Sequence, residues 1–549
     1  MKPKQNLQLE IPPELQEEIE YTDVVEILNV PYVHLKTVIG DDLYITDSGL
    51  PFLQELLPDN FARDREWFNA VKVPLPGSSS IFRVPLKDNA GDVVFKWNRM
   101  GTDPMIPGSQ TPFNSPFEEF SLITELQSRI NGSFKVQQPL AIYVPSERHT
   151  LETLQRRRSL MDFIGRTQSD EHIDMHRDYA VIFHWIEGED LYEHVQAERL
   201  SLEEAKRKSE AVSKMMEDAG YAVTDHKMSH IISKIPADKA AYEDFTVIDF
   251  ELLHRTARHE YTIRKLRRQR YYELRLTESR SGFTPEAPEN RTTIFGVPYI
   301  EMETGSSGGR LWVAGTSEEL ADYFFPEKWQ TTPRQRLSRS GGTYLTTTKD
   351  DIKLVVKESN VGDRPVYDPL HEKADDAVLF GYNSPFEEAS ISAALEQSGL
   401  PAIRLCAVYL MNQIYSVAEY RKDLSRYDSH RTFLGTDGEP VLREDRQYLS
   451  LWQYWEGKVE DMLMYPHGLY EPVNLLMAYH RGIINRKEYE SILRFTEFKL
   501  STKGFHDFAS KSTHIILLLD REGVLVKDET GMPLYRYCNF SLMSKPAEE

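Results

Sequence analysis

The chain has 549 residues and a formal net charge of −21. That length exceeds what one hydrophobic core supports, so two or more domains are expected, and the acidic balance argues against broad binding to a nucleic-acid backbone. No run approaches the roughly 18 apolar residues of a membrane span, and the opening "MKPKQNLQLEIPPELQEEIE" lacks the apolar segment of a signal peptide, so a cytoplasmic protein without a membrane partner is expected.

Read in chain order, strand patterns come first, at 81–85 and 93–97. A helix then starts at "NSPFEE", with Ser115 as N-cap, Pro116 at the first position, and Glu118 and Glu119 in the positive first turn. Apolar strands follow at 140–144 and 179–185. After "EGED" the pattern turns helical: Ser201 and Glu204 form a capping box, and Ala205, Ala211, Val212 and Met215 mark an apolar stripe. Two short apolar runs, "SHIISKI" and "FTVIDFELL", close this half. Cys406 and Cys538 both sit in strand-like apolar runs, which predicts two buried thiols and no disulfide framework.

The same order is then written a second time. "NSPFEE" recurs at 383–388 and "VPY" (30–32) at 297–299, while "DDLYIT" (41–46) answers to "GRLWVA" (309–314) and "ELLPDNF" to "DYFFPEKW". "VVFKWN" answers to "LVVKES", "FHWIEGED" to "WQYWEGKV", and "AGYAVTDHKMSHII" (219–232) to "KGFHDFASKSTHII" (503–516). Collinear echoes of this kind mark an internal duplication. The boundary is placed in the Pro/Ser/Glu-rich 277–292, giving domains at 1–285 and 290–549. The segments at 41–46 and 56–61 carry no legible chemistry and read as a small added N-terminal subdomain.

Moving the terminal phosphoryl group of a nucleotide needs a cation for the phosphates, carboxylates for Mg²⁺ and an acid that orients the acceptor hydroxyl. Lys96 ends the apolar run "VVF", and Glu119 opens the next helix, where it is positioned to pair with that lysine. Asp225, Lys227 and His230 follow in "VTDHKMSHII". Asp249 ends the run "FTVI", a place that suits a metal ligand. "PGSSSIF" offers Gly77, Ser78 and Ser79 as a phosphate loop.

With these residues in place, the first half resembles the protein-kinase-like superfamily, in particular the aminoglycoside phosphotransferase, lipopolysaccharide kinase and RIO-type branches. The resemblance runs over roughly residues 75–255. "VVFK" resembles the lysine-bearing strand, "EEFSLITEL" the helix with its glutamate partner, and "AVIFHWIEGEDLYEHV" the hinge strand and its exit, where Glu187 falls. "DHKMSHII" is similar to "DLKPSNIL", which implies Asp225 as catalytic acid/base, Lys227 as a phosphate-neutralising lysine and His230 at the metal-binding asparagine position. "VIDFE" resembles "DFG", which implies Asp249 as chief Mg²⁺ ligand. The implied fold is α+β, as two tandem bilobal kinase-like domains, and the implied cofactors are ATP and Mg²⁺.

Departures accompany the likeness. No full glycine-rich fingerprint exists, imidazole at His230 is a poor ligand for a hard metal, Glu251 stands where glycine is usual, and Thr224 replaces the arginine that reads activation-loop phosphorylation. The second half keeps Lys357, Glu388, Lys511 and His514. It presents Ala509 and Asn539 opposite Asp225 and Asp249, with His506 and Asp507 a residue or more out of register, so it reads as a pseudokinase.

Two further signals read as structural. "EHIDMHRD" (171–178), with His172, Asp174, His176 and Asp178, reads as a solvated loop, and the basic 255–275 as a solvated bracing helix. The function expected is a phosphotransferase with an active first half, acting on a protein or small-molecule hydroxyl. A silent tandem scaffold that binds nucleotide or a protein, and a kinase-fold enzyme that transfers AMP, are the alternatives.

Overall fold

The computed structural model describes residues 19–546, apart from 77–79, 101–112, 150–172, 175–176, 235, 237–238, 281–289, 305–308, 331, 339–341, 367–372, 416, 445 and 466–467. It is an α+β protein that divides into two compact units, 1–262 and 263–549. The division falls inside a helix, Ala257–Arg280, so the segment read as a linker begins in helical chain at 277–280.

In the first unit the sheet strands are β1 (Ile19–Ile27), β2 (Val30–Thr37), β3 (Asp42–Ile45), β4 (Val73–Pro74), β5 (Ile81–Pro85), β6 (Asp92–Trp97), β7 (Pro139–Val144) and β8 (Ala180–His184). They form one eight-stranded sheet in the order β1-β2-β3-β7-β8-β6-β5-β4, with every pair antiparallel. Side chains alternate across it, so Val93 and Phe95 enter one core and Val94 the other. Helix α1 (Pro116–Arg129) covers one face with Phe117, Phe120, Ile123 and Leu126. Leu56, Leu57, Phe61 and Phe68 cover the opposite face.

That arrangement corrects the expectation of a separate N-terminal subdomain. Residues 41–46 supply a strand that pairs with β7, and 56–61 roof the sheet. Joining β3 to β7 removes an edge that would otherwise be left open.

Below the sheet, α2 (Leu202–Asp218) starts at the predicted Ser201–Glu204 capping box. Its buried face is Ala205, Ser209, Val212 and Met216, with Ala211 and Met215 only half-buried, a shift of the expected stripe by part of a turn. Four short strands then make two antiparallel pairs: Tyr221–Val223 with Leu253–Arg255, and Ile231–Ser233 with Phe245–Val247. The loops 224–230 and 248–252 are thereby brought side by side, and Ile248 N–H donates to His230 O at 2.9 Å.

The second unit repeats this order. Strands β9 (Arg291–Ile294), β10 (Val297–Glu303), β11 (Arg310–Ala314), β12 (Arg334–Arg336), β13 (Thr343–Thr347), β14 (Lys353–Glu358), β15 (Leu405–Ile414) and β16 (Arg446–Gln453) form a second eight-stranded sheet. Its order is β9-β10-β11-β15-β16-β14-β13-β12, the same path as the first. The helix Pro385–Gln397 starts at the second "NSPFEE" with the same capping box, Ser384 with Glu387. The paired loops recur too: Cys538 N–H donates to His514 O at 3.0 Å.

Cys406 is buried as expected, but Cys538 is partly exposed. The basic helix spends much of its charge internally: Arg267 pairs with Asp322 and Asp350, and Arg270 with Glu319. His172 and His176 lie outside the described residues, whereas Asp174 and Asp178 pair with Arg148 and His149. Among the described residues no helix is long and apolar enough to cross a membrane.

Candidate functional site

The two adjoining loops of the first unit carry the candidate residues. Among the described residues, Asp225, His230 and Asp249 form a group whose possible ligand atoms all lie within 4.8 Å of one another. His230 Nε2 stands 3.4 Å from Asp249 Oδ2. Asp225 Oδ1 is buried with no hydrogen-bond partner among the described residues. An unsatisfied buried carboxylate oxygen is costly unless a cation or proton donor meets it.

Lys96 reaches the same point from β6. Its Nζ donates to Asp249 Oδ1 at 2.6 Å and lies 2.9 Å from Glu251 Oε2. The expected pairing with Glu119 does not occur; Glu251 takes that place. Glu251 is itself buried and also pairs with Arg99, whose guanidinium stacks 4.1 Å from the Phe113 ring. Glu119 is 1% exposed, and its Oε2 has no hydrogen-bond partner among the described residues. Burial pushes its carboxyl up to about 7, against the pull of Lys96.

The other charges follow from the same neighbours. Burial works against ionisation of Asp249, yet the Lys96 ammonium holds its carboxyl down at about 2. Burial lowers His230, with Asp249 and Asp225 opposing, so a neutral ring is favoured. Asp249 has φ of +64°, a left-handed conformation that aspartate tolerates better than most residues.

Lys227 is largely exposed, 3.6 Å from Asp225 Oδ2. Glu187 is exposed and bonds Trp185 Nε1 at 2.9 Å and Arg83 at 3.5 Å, and none of these bonds reaches the cluster. Gly77, Ser78 and Ser79 lie outside the described residues.

Sequence reasoning missed two contributors. Asn114, the first residue of "NSPFEE", clasps the Asp249 loop: its Nδ2 donates to Leu253 O at 2.8 Å and Phe250 O at 3.4 Å, and its N–H donates to Glu251 O at 2.9 Å. Asn383 makes the same three bonds to Met543, Phe540 and Ser541, each at 2.8 Å. The repeated asparagine was the signal, because a helix N-cap needs only the serine beside it. Glu251 was the second, legible only as an acid where glycine was expected.

The equivalent place in the second unit has different chemistry. Lys357 Nζ bonds both Glu388 oxygens, at 2.9 and 2.8 Å, and Asn539 Oδ1 at 3.1 Å. His514 Nε2 lies 3.0 Å from Asn539 Nδ2, and Asp507, although out of register, comes to 3.6 Å from His514 Nδ1. Ala509 offers no acid.

No family model matches the chain, and no curated protein does. Among solved structures, the complex of Rv3197 with erythromycin from Mycobacterium tuberculosis matches at 13% identity over 40% of this chain and 56% of that chain, with a TM-score of 0.16, too low to carry any argument about fold or function.

Proposed function

We propose that the chain is a tandem of two protein-kinase-like domains, the first an ATP- and Mg²⁺-dependent phosphotransferase acting on a hydroxyl acceptor and the second non-catalytic. The observation that supports this reading most is the meeting of Asp225, His230 and Asp249 beside Lys96. Two carboxylates with one buried oxygen unsatisfied fit a hard divalent cation. Asp249 would hold it, and His230, kept neutral by burial, would support Asp249 more than bind the ion. Magnesium bound with the nucleotide supplies charge neutralisation for the phosphates.

The chain's own groups do the rest. Lys96 sits on a rigid strand with its ammonium directed at the same carboxylates, where it can hold phosphate oxygens. Asp225 accepts the proton of the acceptor hydroxyl and fixes its direction. Asn114 fixes the backbone that carries Asp249. In the second unit Ala509 and Asn539 remove both carboxylates, which favours a structural or regulatory role there.

A second reading, a silent scaffold, is favoured by one observation: Glu251 already neutralises Lys96. The test is a thermal shift of the full chain with ATP, with and without Mg²⁺, followed by mass analysis of candidate acceptors. Stabilisation that requires Mg²⁺ together with a mass gain of one phosphate is expected. Metal-independent stabilisation without transfer favours the scaffold.

A further inference from the structure

The two repeats hold their central lysine in different ways. In the second unit Lys357 rests on the helix glutamate, Glu388, and the position two residues beyond Asn539 is Ser541, too short and uncharged to compete. In the first unit that position is Glu251. Lys96 is drawn to it and to Asp249, while the helix glutamate, Glu119, is left with a buried oxygen unpartnered among the described residues. Arg99 holds Glu251 in place from its other side.

Resting on the phosphotransferase reading, we propose that Glu251 is a latch: in the nucleotide-free state it holds Lys96 against the metal-binding carboxylate and away from Glu119, and phosphate binding must displace it.

Lys96 Nζ is shared between two carboxylates at 2.6 and 2.9 Å, so it is not available to an incoming phosphate without losing one of them. Asp249, bonded to Lys96, is likewise not free for a cation. Glu119 provides the alternative seat: it is buried, on a well-capped helix, and lacks the partner that its counterpart Glu388 has. Moving Lys96 to Glu119 would free Asp249 for metal and leave Glu251 with Arg99. In the second unit, where serine takes the latch position and Asn539 the place of Asp249, the lysine sits on the helix glutamate and keeps a 3.1 Å bond to Asn539 Oδ1.

The test uses the full chain carrying Glu251→Ser, the residue the second unit has, and Glu251→Gln, which keeps the side-chain volume should serine fail to fold around Arg99. Two readouts are taken. In a nucleotide-free crystal structure of either variant, Lys96 is expected within hydrogen-bond distance of Glu119; Lys96 still on Asp249 with Glu119 unpartnered would overturn the latch. In calorimetry with ADP and no metal, the variants are expected to bind about tenfold tighter than wild type, the scale of one released charge-assisted bond. That gain should vanish in a Lys96→Met background. Weaker binding in the variants, in Mg²⁺ or without it, would make Glu251 part of the binding set and overturn the latch. Failure of wild type and variants alike to bind nucleotide would count against the phosphotransferase reading, while the crystal readout still decides the latch.

Discussion

His34 Nε2 lies 2.8 Å from Asp42 Oδ1 across neighbouring strands, and the second unit holds a pair at the same two positions with the acid on the first strand instead of the second. Counted from the repeated "VPY", His34 corresponds to Glu301; counted from "DDLYIT" and "GRLWVA", Asp42 corresponds to Arg310. Glu301 and Arg310 are ion-paired on strands in the same register. The duplicated architecture retains the contact and lets the acid change ends.

Arg310→Met tests how far the second unit depends on that pair. Glu301 is buried and would lose its cation, keeping, among the described residues, the bonds from Thr436. Leaving a buried charge uncompensated costs about 3–5 kcal/mol, so denaturant unfolding of the full chain should show a loss of that order in the second unit. A loss under about 1 kcal/mol would make the pair incidental.

The repeat, the strand positions and the capped helices were legible because they rest on local patterns: alternation of apolar residues, and Ser-Pro-x-Glu at a helix start. The order of strands in each sheet was not, since β7 and β8 pair with strands far away in sequence. Within the site, Asp225, His230 and Asp249 were legible as types at a spacing. The partner of Lys96 was not, because Glu119 and Glu251 compete for one ammonium and only their three-dimensional distances decide between them. Cys538 misled for a related reason: its apolar neighbours alternate about a strand end that leaves it partly open.

The asparagine clasps should carry measurable stability. Asn383→Ala removes two 2.8 Å bonds from a buried side chain and strands two carbonyls, Phe540 O and Met543 O. The expected cost is about 2–4 kcal/mol, read from denaturant midpoints. Asn114→Ala, with one short and one 3.4 Å bond, should cost less. The reverse ranking would show that the clasp is not what these residues contribute.

Glu119 gives the first unit a pH dependence of definite sign. Burial raises its carboxyl from 4.5 to about 7, so the native state holds a proton that the unfolded chain releases across that interval. Its contribution is fully present below about pH 4.5 and is lost as pH rises through about 7, a swing of about 3 kcal/mol. Glu119→Gln stays neutral throughout. It should therefore gain stability relative to wild type at pH 8 compared with pH 4.5, as read from paired denaturant titrations. Equal differences at both pH values would show that the Glu119 carboxyl is not raised in the native state.

Asp225→Ala should leave nucleotide affinity close to wild type while phosphoryl transfer falls by about 10²–10⁴-fold, the usual range for a positioned acid/base. Single-turnover transfer rates measured beside calorimetric affinities check both halves of that statement. A parallel fall in affinity would place Asp225 among the metal-holding groups instead.

Calorimetric titration of MgATP into the full chain checks the proposal that the first unit alone holds a magnesium nucleotide, through Asp249. Wild type should bind one nucleotide per chain. Asp249→Asn, which installs the residue the second unit already carries, should abolish the Mg²⁺-dependent binding, and Asn539→Ala should leave it unchanged. Undiminished MgATP binding by Asp249→Asn, or its loss in Asn539→Ala, would overturn that proposal.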